Sequence, residues 1–523
     1  MTLPTSDVSA ACPYLQQVHR ALPRLLALYD RDPLGNTFGL GDRTFWAWKL
    51  KDFANATQQG AASGLARLLV AGLLPEGMRE NAILSRIKAI ISGSKHITAR
   101  NGSLAEALPN EGSFCVTALI AADILTAVML LGDRLSKAER QEALSVVRPW
   151  IAFLHKQDEG HGIISNHLAV AVLALVLWSK LSGENCGPRA QLFLDRILAH
   201  RSDEGWFREY DGADPGYQSW LMSSLTAVHR LRPDWNLGPA LHQGVDFLTY
   251  FAHPDGSYGG LYGSRMTRFC FPAAFEALAF EHGAAHALAQ FFRASLPYHS
   301  LVTLDAIDAH NLVPLFNDYA WAAVERARSD TRQSVTLLPA QAGTLRRHFK
   351  EAGLLIDSSK QHYTVTALFK GGALLHFKNG DLAREDAGTI CVKSHAPVLT
   401  SQFVDHEACV NIAADTVYIK SALRPVTRQL PSPLRFIILR CLSLSVLRSM
   451  TLGNLTKRLL AALLVTGLPI AKGSVTRRIT LGPDLQIEDE PQAPTGYISK
   501  VEPSFRAIHM ASQGYWQASD DAQ

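Results

Sequence analysis

The sequence predicts an α+β protein with two domains, a helical N-terminal half built of repeated hairpins and a C-terminal antiparallel β-sandwich. The chain has 523 residues, 47% of them hydrophobic, and one hydrophobic core stops growing at roughly 250–300 residues. Long Ala- and Leu-rich segments with helical spacing dominate the first half. Short β-branched runs separated by Gly, Asn, Asp and Pro dominate the second, as in antiparallel sheets.

The helical domain is expected from about residue 40 to residue 345, after an N-terminal segment, 1–39. An acidic residue followed by glycine recurs in it with spacings of 48, 45 and 51 residues. This period fits two helices and two connections, so the hairpins should stack into a solenoid or close into a ring. Because the acidic-glycine turn occupies the same position in each hairpin, all four of its loops should lie on one rim of the ring or solenoid. The acidic residues are Glu111, Glu159, Glu204 and Asp255.

The β-sandwich is expected over 360–510, interrupted by a basic helical insert at about 430–472. Eleven basic residues and no acidic ones lie between Asp415 and Asp484. Periodic Arg and Lys among Leu and Ile are typical of basic amphipathic helices. The region 420–478 is therefore a candidate for peripheral contact with an anionic membrane, although an acidic glycan, a protein partner or a cap on the sandwich would fit as well.

Composition excludes several classes of protein. A formal charge of +4 without a basic nucleic-acid motif predicts no nucleic-acid partner. Seven scattered cysteines with no C-x-x-C pair argue against a disulfide framework or structural zinc and favour a reducing compartment. The N-terminus lacks the pattern of a signal peptide and the apolar runs are short for a membrane span. We expect a cytoplasmic protein, either free or peripheral to the inner membrane.

Side chains suited to sugar chemistry accumulate in the loops of the expected rim. Upstream, two tryptophans lie beside charged groups, an arrangement that suits stacking on sugar rings but equally suits a wedge of core aromatics. The candidates in the repeat loops are Asn166, His167, Trp206, Arg208, Tyr217, Tyr258, Tyr262 and Arg265, and those upstream are Arg43, Trp46 and Trp48.

These residue types fit β-elimination across C4–C5 of a uronic acid. The reaction removes a proton next to a carboxylate, so donors such as Asn and Arg must stabilise the developing enolate. A Tyr or His takes the proton, and a Tyr can protonate the leaving oxygen. No metal or other cofactor is required. A glycoside hydrolase would instead need two carboxylates about 5–10 Å apart, and the loop acids Glu204, Glu209, Asp211 and Asp214 keep that alternative open.

Three segments followed by a β-rich tail resemble the heparinase II/III-like polysaccharide lyases. In order they are SNHLAVAVLAL, EGWFREYDGADPGYQSWLMSSL and DGSYGGLYGSRMTRFCFPAAFEAL. The resemblance covers about 160–280 by motif and 40–510 by architecture. It rests on Asn-His at the start of an inner helix and a Pro-x-Tyr about 50 residues later. It implies an incomplete α/α toroid followed by a β-sandwich, as in related alginate lyases.

The resemblance implies an acidic, uronate-containing polysaccharide as substrate and gives four residues roles. Asn166 matches the residue that neutralises the substrate carboxylate, and Arg265 matches a basic residue that contacts substrate. Tyr217 matches the catalytic tyrosine, as acid, base or both, and His167 is its neighbour and a candidate base. We predict that these four residues converge on one groove.

One feature departs from the family. Its lyases carry a His-x-His-x-Asp-like segment in the β-domain, and the nearest candidate, His376, lacks that spacing. A glycan-binding or polysaccharide-biosynthesis protein without catalysis, on the cytoplasmic face of a membrane, is therefore an alternative. Structural roles also stay open: Asn166 could cap its helix, Tyr217 could only pack, and Arg265 could pair with Glu276.

Overall fold

The computed structural model describes residues 12–49, 51–160, 162–328, 336–426, 432–449, 452, 455–456, 468–508 and 511–517. It confirms the predicted fold class, with a helical domain followed by antiparallel sheets. The helical ring also includes a helix within the segment 1–39, and the first strand begins at Leu345.

In the described part of the chain, the helical domain has twelve α-helices of six residues or more. They are α1 Pro13–Leu26, α2 Ala62–Ala71, α3 Glu80–Gly93, α4 Phe114–Leu131, α5 Lys137–Lys156, α6 Ser165–Ser182, α7 Gly187–Ala199, α8 Pro215–Leu231, α9 Gly238–Leu248, α10 Ala273–Leu278, α11 Gly283–Ser295 and α12 Leu312–Arg328.

The helices form two concentric layers. Each even-numbered helix packs against the next even-numbered helix, and α12 packs against α2. The six inner helices therefore form a closed ring. Helices α3, α5, α7, α9 and α11 each pack against the inner helix that precedes them, and α1 packs against α12. The repeated hairpin thus closes into an α/α toroid, because each hairpin covers the apolar face of its neighbours.

Two inner helices, Phe114–Arg134 and Ser165–Ser182, are long and apolar enough to cross a membrane by length and composition. Within the ring, 83% and 67% of their apolar windows are buried. A helix that is covered on nearly all sides by other helices has the same all-round apolar composition. Their composition is therefore explained by their place in the inner layer.

Twelve strands are described after the toroid, in two antiparallel sheets. The first sheet has the order β1-β2-β3-β4-β5, and the second has the order β11-β10-β9-β7-β6-β12, with β8 also paired to β9. The strands are β1 Leu345–Phe349, β2 Leu354–Ser358, β3 His362–Ala367, β4 Ala373–Lys378, β5 Asp381–Asp386, β6 Ile390–Val392, β7 Val398–Thr400, β8 Cys409–Ala413, β9 Thr416–Val426, β10 Gly473–Thr480, β11 Gln486–Gln492 and β12 Ile498–Lys500.

The inner strands of the first sheet, β2 to β4, are buried on both faces. Ile356 and Leu375 join the core of the toroid, whereas their neighbours Leu355 and Leu374 pack with residues of the second sheet. Successive side chains of a strand point to opposite faces, so one strand contributes to two cores. The architecture therefore has three packed parts: the toroid, the first sheet and the second sheet.

A further helix, α13 (Pro433–Leu444), lies in the connection between β9 and β10, which pair antiparallel. Ser432 caps it by accepting a hydrogen bond from the backbone N–H of Arg435. The predicted basic insert thus begins with a helix between two adjacent strands. The remainder of that prediction, over 450–451, 453–454 and 457–467, lies outside the described residues.

Candidate active site

A cavity of about 290 Å³ lies at one rim of the toroid. Its lining residues come mainly from the first turns of the inner helices and from the loops that precede them, so the cavity lies where those helices begin. These residues include Thr57 before α2, Phe114 and Cys115 in α4, His167 in α6, Tyr217 and Trp220 in α8, Phe269 and Phe271 before α10, and Pro314 and Leu315 in α12.

The repeated acidic residues precede inner helices but make different contacts. Glu111 lines the cavity and accepts hydrogen bonds from three backbone N–H groups, those of residues 106–108. Glu204 accepts from the backbone N–H groups of Glu351 and Ala352, each at 3.1 Å, in the β1–β2 turn. Asp255 binds Ser257 within its own loop. The same turn therefore supplies a cavity wall at one hairpin and a domain contact at another.

Glu159 and His167 form a pair in the cavity wall. The Oε2 atom of Glu159 lies 2.6 Å from Nδ1 of His167, and the two side chains are 1% and 18% exposed. A carboxylate bound to Nδ1 keeps the proton of the neutral imidazole on that nitrogen. Nε2 is then the nitrogen available to accept a proton, as in other carboxylate–histidine pairs.

Tyr217 lies in the first turn of α8. Its backbone N–H donates to Asp214, the residue that caps the helix, and its ring meets Phe269 edge-on. Its hydroxyl lies 2.7 Å from Oγ of Ser512. Burial raises the pKa of Tyr217 well above its ordinary value. The phenol therefore keeps its proton at neutral pH and is available as an acid.

Asn166 lies one layer behind the wall. It is 1% exposed, its Nδ2 donates to Oε2 of Glu209 at 2.7 Å, and its backbone N–H donates to Oε1 at 2.9 Å. Its Oδ1 has no hydrogen-bond partner within the described residues. Burial raises the pKa of Glu209 to about 8, so this carboxyl group is mostly neutral at pH 7.

Arg265 also lies behind the wall. It is 1% exposed, and its guanidinium lies 3.8 Å from the ring centre of Tyr210, a residue that lines the cavity. Nη2 contacts Asp211 at 3.3 Å. Arg265 thus contacts the cavity lining through Tyr210 without lining the cavity itself. Of the four predicted residues, His167 and Tyr217 line the cavity, and Asn166 and Arg265 support its wall.

The other predicted substrate-binding residues are not among the residues lining the cavity in the described chain. Their contacts are local. Trp46 donates to Leu28, Arg43 stacks on Trp46, Trp48 is 84% exposed, Trp206 donates to Glu204, Arg208 donates to the carbonyl of Tyr210, Tyr258 donates to Pro215, Tyr262 bonds to His253, and buried His376 bonds to Thr364.

The loop carboxylates of the hydrolase alternative also lie away from the cavity lining, but other carboxylates are present there. Glu106 lines the cavity with Glu111 and Glu159. Burial raises the pKa of Glu106, and the charge of Glu111 raises it further. Among the described residues that line the cavity, none is Lys or Arg. The N-terminal ends of the inner helices carry partial positive charge, which offsets part of this negative charge.

A C-terminal segment, 511–517, reaches back to this rim. Besides Ser512, Gln513 donates to the carbonyl of Arg265 at 2.7 Å, and the Gly514 carbonyl accepts from the backbone N–H of Asp308 at 2.7 Å. No sequence motif predicts a role for Ser512. Its contact with Tyr217 joins residues 295 positions apart, and such a contact is visible only in the structure. Glu106 was missed too, whereas Glu111 and Glu159 belong to the repeat.

The described residues contain no group of three or more His, Cys, Asp or Glu side chains placed to hold a metal ion. One histidine of the β-domain contacts the toroid. His406, in the loop between β7 and β8, reaches the toroid and bonds through Nε2 to the carbonyl of Asp211 at 2.8 Å. It contacts the loop that carries Tyr210 and does not line the cavity.

Comparison with solved structures finds proteins with a similar fold. The chain is similar to chondroitin AC lyase of Streptomyces coelicolor A3, crystallised with chondroitin sulphate, with a TM-score of 0.55 and 11% identity over 94% of this chain and 67% of that one. It is similar to a Paenibacillus xanthan lyase with a TM-score of 0.52 and 12% identity, over 93% of this chain and 46% of that one.

Heparinase III aligns with a TM-score of 0.44 and 9% identity, over 90% of this chain and 79% of that one. No protein-family model matches the chain, and no curated protein matches its sequence. The chain spans about two thirds of the chondroitin lyase and less than half of the xanthan lyase. The similarity to the chondroitin AC and xanthan lyases confirms the predicted resemblance to polysaccharide lyases at the level of the fold.

Proposed function

We propose that the protein is a polysaccharide lyase that cleaves a uronate-containing glycan by β-elimination. The observation that carries this proposal is that a carboxylate-bound histidine, His167, and a protonated tyrosine, Tyr217, line one cavity at the rim of the toroid. An elimination needs a base that removes the C5 proton and an acid that protonates the leaving oxygen, and these two residue types can take these two roles. The fold shared with chondroitin AC and xanthan lyases supports the same class of reaction.

In the proposed reaction, Nε2 of His167 takes the proton from C5 of the uronate. The electron pair of that bond forms the C4–C5 double bond, and the bond from C4 to the glycosidic oxygen breaks. Tyr217 gives its proton to this oxygen, so the products are an unsaturated uronate and a free hydroxyl group. Glu159 stabilises the imidazolium that forms at His167, because its carboxylate lies on Nδ1.

The wall behind these residues is suited to negative charge developing on the substrate carboxylate. The positive charge of Arg265, stacked on the ring of Tyr210, would stabilise that negative charge. Glu209, beside Asn166, is mostly neutral at pH 7 and therefore adds little opposing charge. The positive ends of the inner helices act in the same direction. We therefore assign Asn166 and Arg265 as positioning residues of the proposed site.

The test is the ultraviolet absorbance of a 4,5-unsaturated uronate after mixing purified protein with a panel of uronate polysaccharides. Tyr217→Phe keeps the ring and removes the proton donor, so we expect the rate to fall by roughly 10²–10⁴-fold. Tyr298→Phe is the matched control, because Tyr298 is 79% exposed and outside the cavity lining. Tight glycan binding without any product would favour a binding protein of polysaccharide biosynthesis instead.

A second candidate is a glycoside hydrolase, which the three glutamates in the cavity wall favour. Glu106, with its raised pKa, would be the acid, and Glu111 or Glu159 would be the second carboxylate. Hydrolysis produces reducing ends without the unsaturated chromophore and incorporates oxygen from water labelled with ¹⁸O. Loss of such a product in Glu106→Gln, with Tyr217→Phe active, would replace the lyase proposal with this one.

A further inference from the structure

The first turns of α13 expose apolar side chains in every direction. All residues of 433–438 are exposed, and the exposed fractions are 67% for Leu434, 51% for Phe436, 60% for Ile437 and 52% for Ile438. An amphipathic surface helix normally buries its apolar residues on one face. These turns instead present a contiguous apolar end to the surroundings, and exposed apolar patches of this kind mark interaction sites.

The charged residues that flank this apolar end in the sequence are basic. Arg435 and Arg448 are exposed, as is Lys472 at the start of the strand-forming region that follows. No Asp or Glu lies between Asp415 and Asp484 in the sequence. A partner that covers the helix must therefore accept both Leu, Ile and Phe side chains and the exposed positive charge of Arg435.

The other end of α13 fixes the helix to the toroid rim. Arg440 donates to Asp52 at 2.6 Å, and Asn110 donates to the Ser443 carbonyl at 3.1 Å. Ser443 is 1% exposed. The residue that follows Asn110 in the chain, Glu111, lines the cavity. The apolar end thus projects from a helix held beside the candidate active site.

We propose that α13 docks the protein on an anionic phospholipid bilayer. An interfacial helix combines apolar side chains that enter the acyl boundary with basic side chains that bind anionic headgroups, and both are present here. Because the helix is anchored beside the cavity, docking would hold the cavity at the membrane surface, where membrane-attached glycans are available. Docking is independent of the reaction in the cavity and is measured without substrate.

The experiment is co-sedimentation of the full chain with vesicles of phosphatidylcholine alone or mixed with phosphatidylglycerol. We expect binding to the anionic vesicles that weakens as salt rises, since the charge contribution is screened. Arg435→Gln combined with Arg448→Gln should lower the partition coefficient by about 30-fold, the effect of two basic residues near an anionic surface. Phe436→Ser combined with Ile437→Ser should lower it further, because the apolar insertion is lost.

Leu34→Ser combined with Leu192→Ser is the matched control, because these residues are 93% and 54% exposed outside α13. It should bind vesicles like the parent chain. Equal recovery with neutral and anionic vesicles, or recovery with neither, would overturn the proposal. Concentration-dependent self-association that Phe436→Ser with Ile437→Ser abolishes, without vesicle binding, would assign the surface to a second copy of the chain.

Discussion

Replacing Glu209 with Gln tests the electrostatics behind the cavity wall. Glu209 is fully buried, and its two oxygens accept hydrogen bonds from the backbone and side chain of Asn166. Burial is the main cause that raises its pKa from 4.5 to about 8, and the nearby Asp214 carboxylate adds to it. Glutamine is neutral at every pH and has nearly the same shape. Glu209→Gln should therefore mimic the protonated carboxyl group.

The sign of the effect follows from proton binding. Below pH 4.5 the group is protonated in the folded and unfolded states, and it contributes no pH dependence. Between pH 4.5 and about 8 the folded state binds more protons, so the wild-type protein loses stability as pH rises. One pKa unit corresponds to about 1.4 kcal/mol, so a shift from 4.5 to about 8 gives a cost of about 5 kcal/mol by pH 9. Glu209→Gln has no carboxyl group to ionise at this position, so it lacks this pH-dependent loss of stability.

The assay is urea unfolding of both proteins at a series of pH values from 5 to 9. We expect the difference in unfolding free energy, variant minus wild type, to rise by up to about 4 kcal/mol across that range. Glu142→Gln on α5, at an exposed position, controls for the loss of one carboxylate. A difference that stays constant with pH would show that Glu209 is ionised in the folded protein, and the charge assignment behind Asn166 would be wrong.

Three further predictions concern the cavity wall. Glu159→Gln should lower kcat by about 10- to 100-fold, since the charged hydrogen bond to the imidazolium that forms at His167 is worth about 1.5–3 kcal/mol; an unchanged kcat would exclude His167 as the base. Ser512→Ala should lower kcat about fivefold at constant KM, because it removes one hydrogen bond, worth about 1 kcal/mol, from Tyr217; a change in KM alone would contradict this. Gly514→Ala should displace the side chain of Asp308, since its Cβ would meet an oxygen of that exposed residue; hydrogen exchange should then increase slightly in 511–517 but not in α8.

The fold was accessible from the sequence because its signals are periodic. A hairpin that repeats about every 50 residues must bury one face against its neighbours, and this requirement alone favours a ring or a solenoid. The short β-branched runs separated by Gly, Asn, Asp and Pro likewise identified the second half as antiparallel β-sheet. The sequence did not predict that the first sheet contributes to two hydrophobic cores. Leu355 and Ile356 are both apolar, and only the structure shows that Leu355 faces the second sheet and Ile356 faces the toroid.

The depth of the site residues was also hidden from the sequence. Asn166 and His167 are consecutive in the first turn of α6, and consecutive residues on a helix point about 100° apart. One can therefore line the cavity while the other faces Glu209. The repeat predicts that a loop lies at the rim, but not which of its side chains faces the cavity.

The β-domain contributes to the candidate site in a way that a search for a catalytic histidine misses. Lys370, after β3, is buried and donates to the carbonyls of Leu261 and Gly263 at 2.8 and 2.6 Å, in the loop that carries Arg265. Burial lowers the pKa of Lys370 to about 7, a cost that the two carbonyl contacts partly offset. Because the chain after β12 adds Ser512 beside Tyr217, the cavity wall is complete only when both domains have folded together.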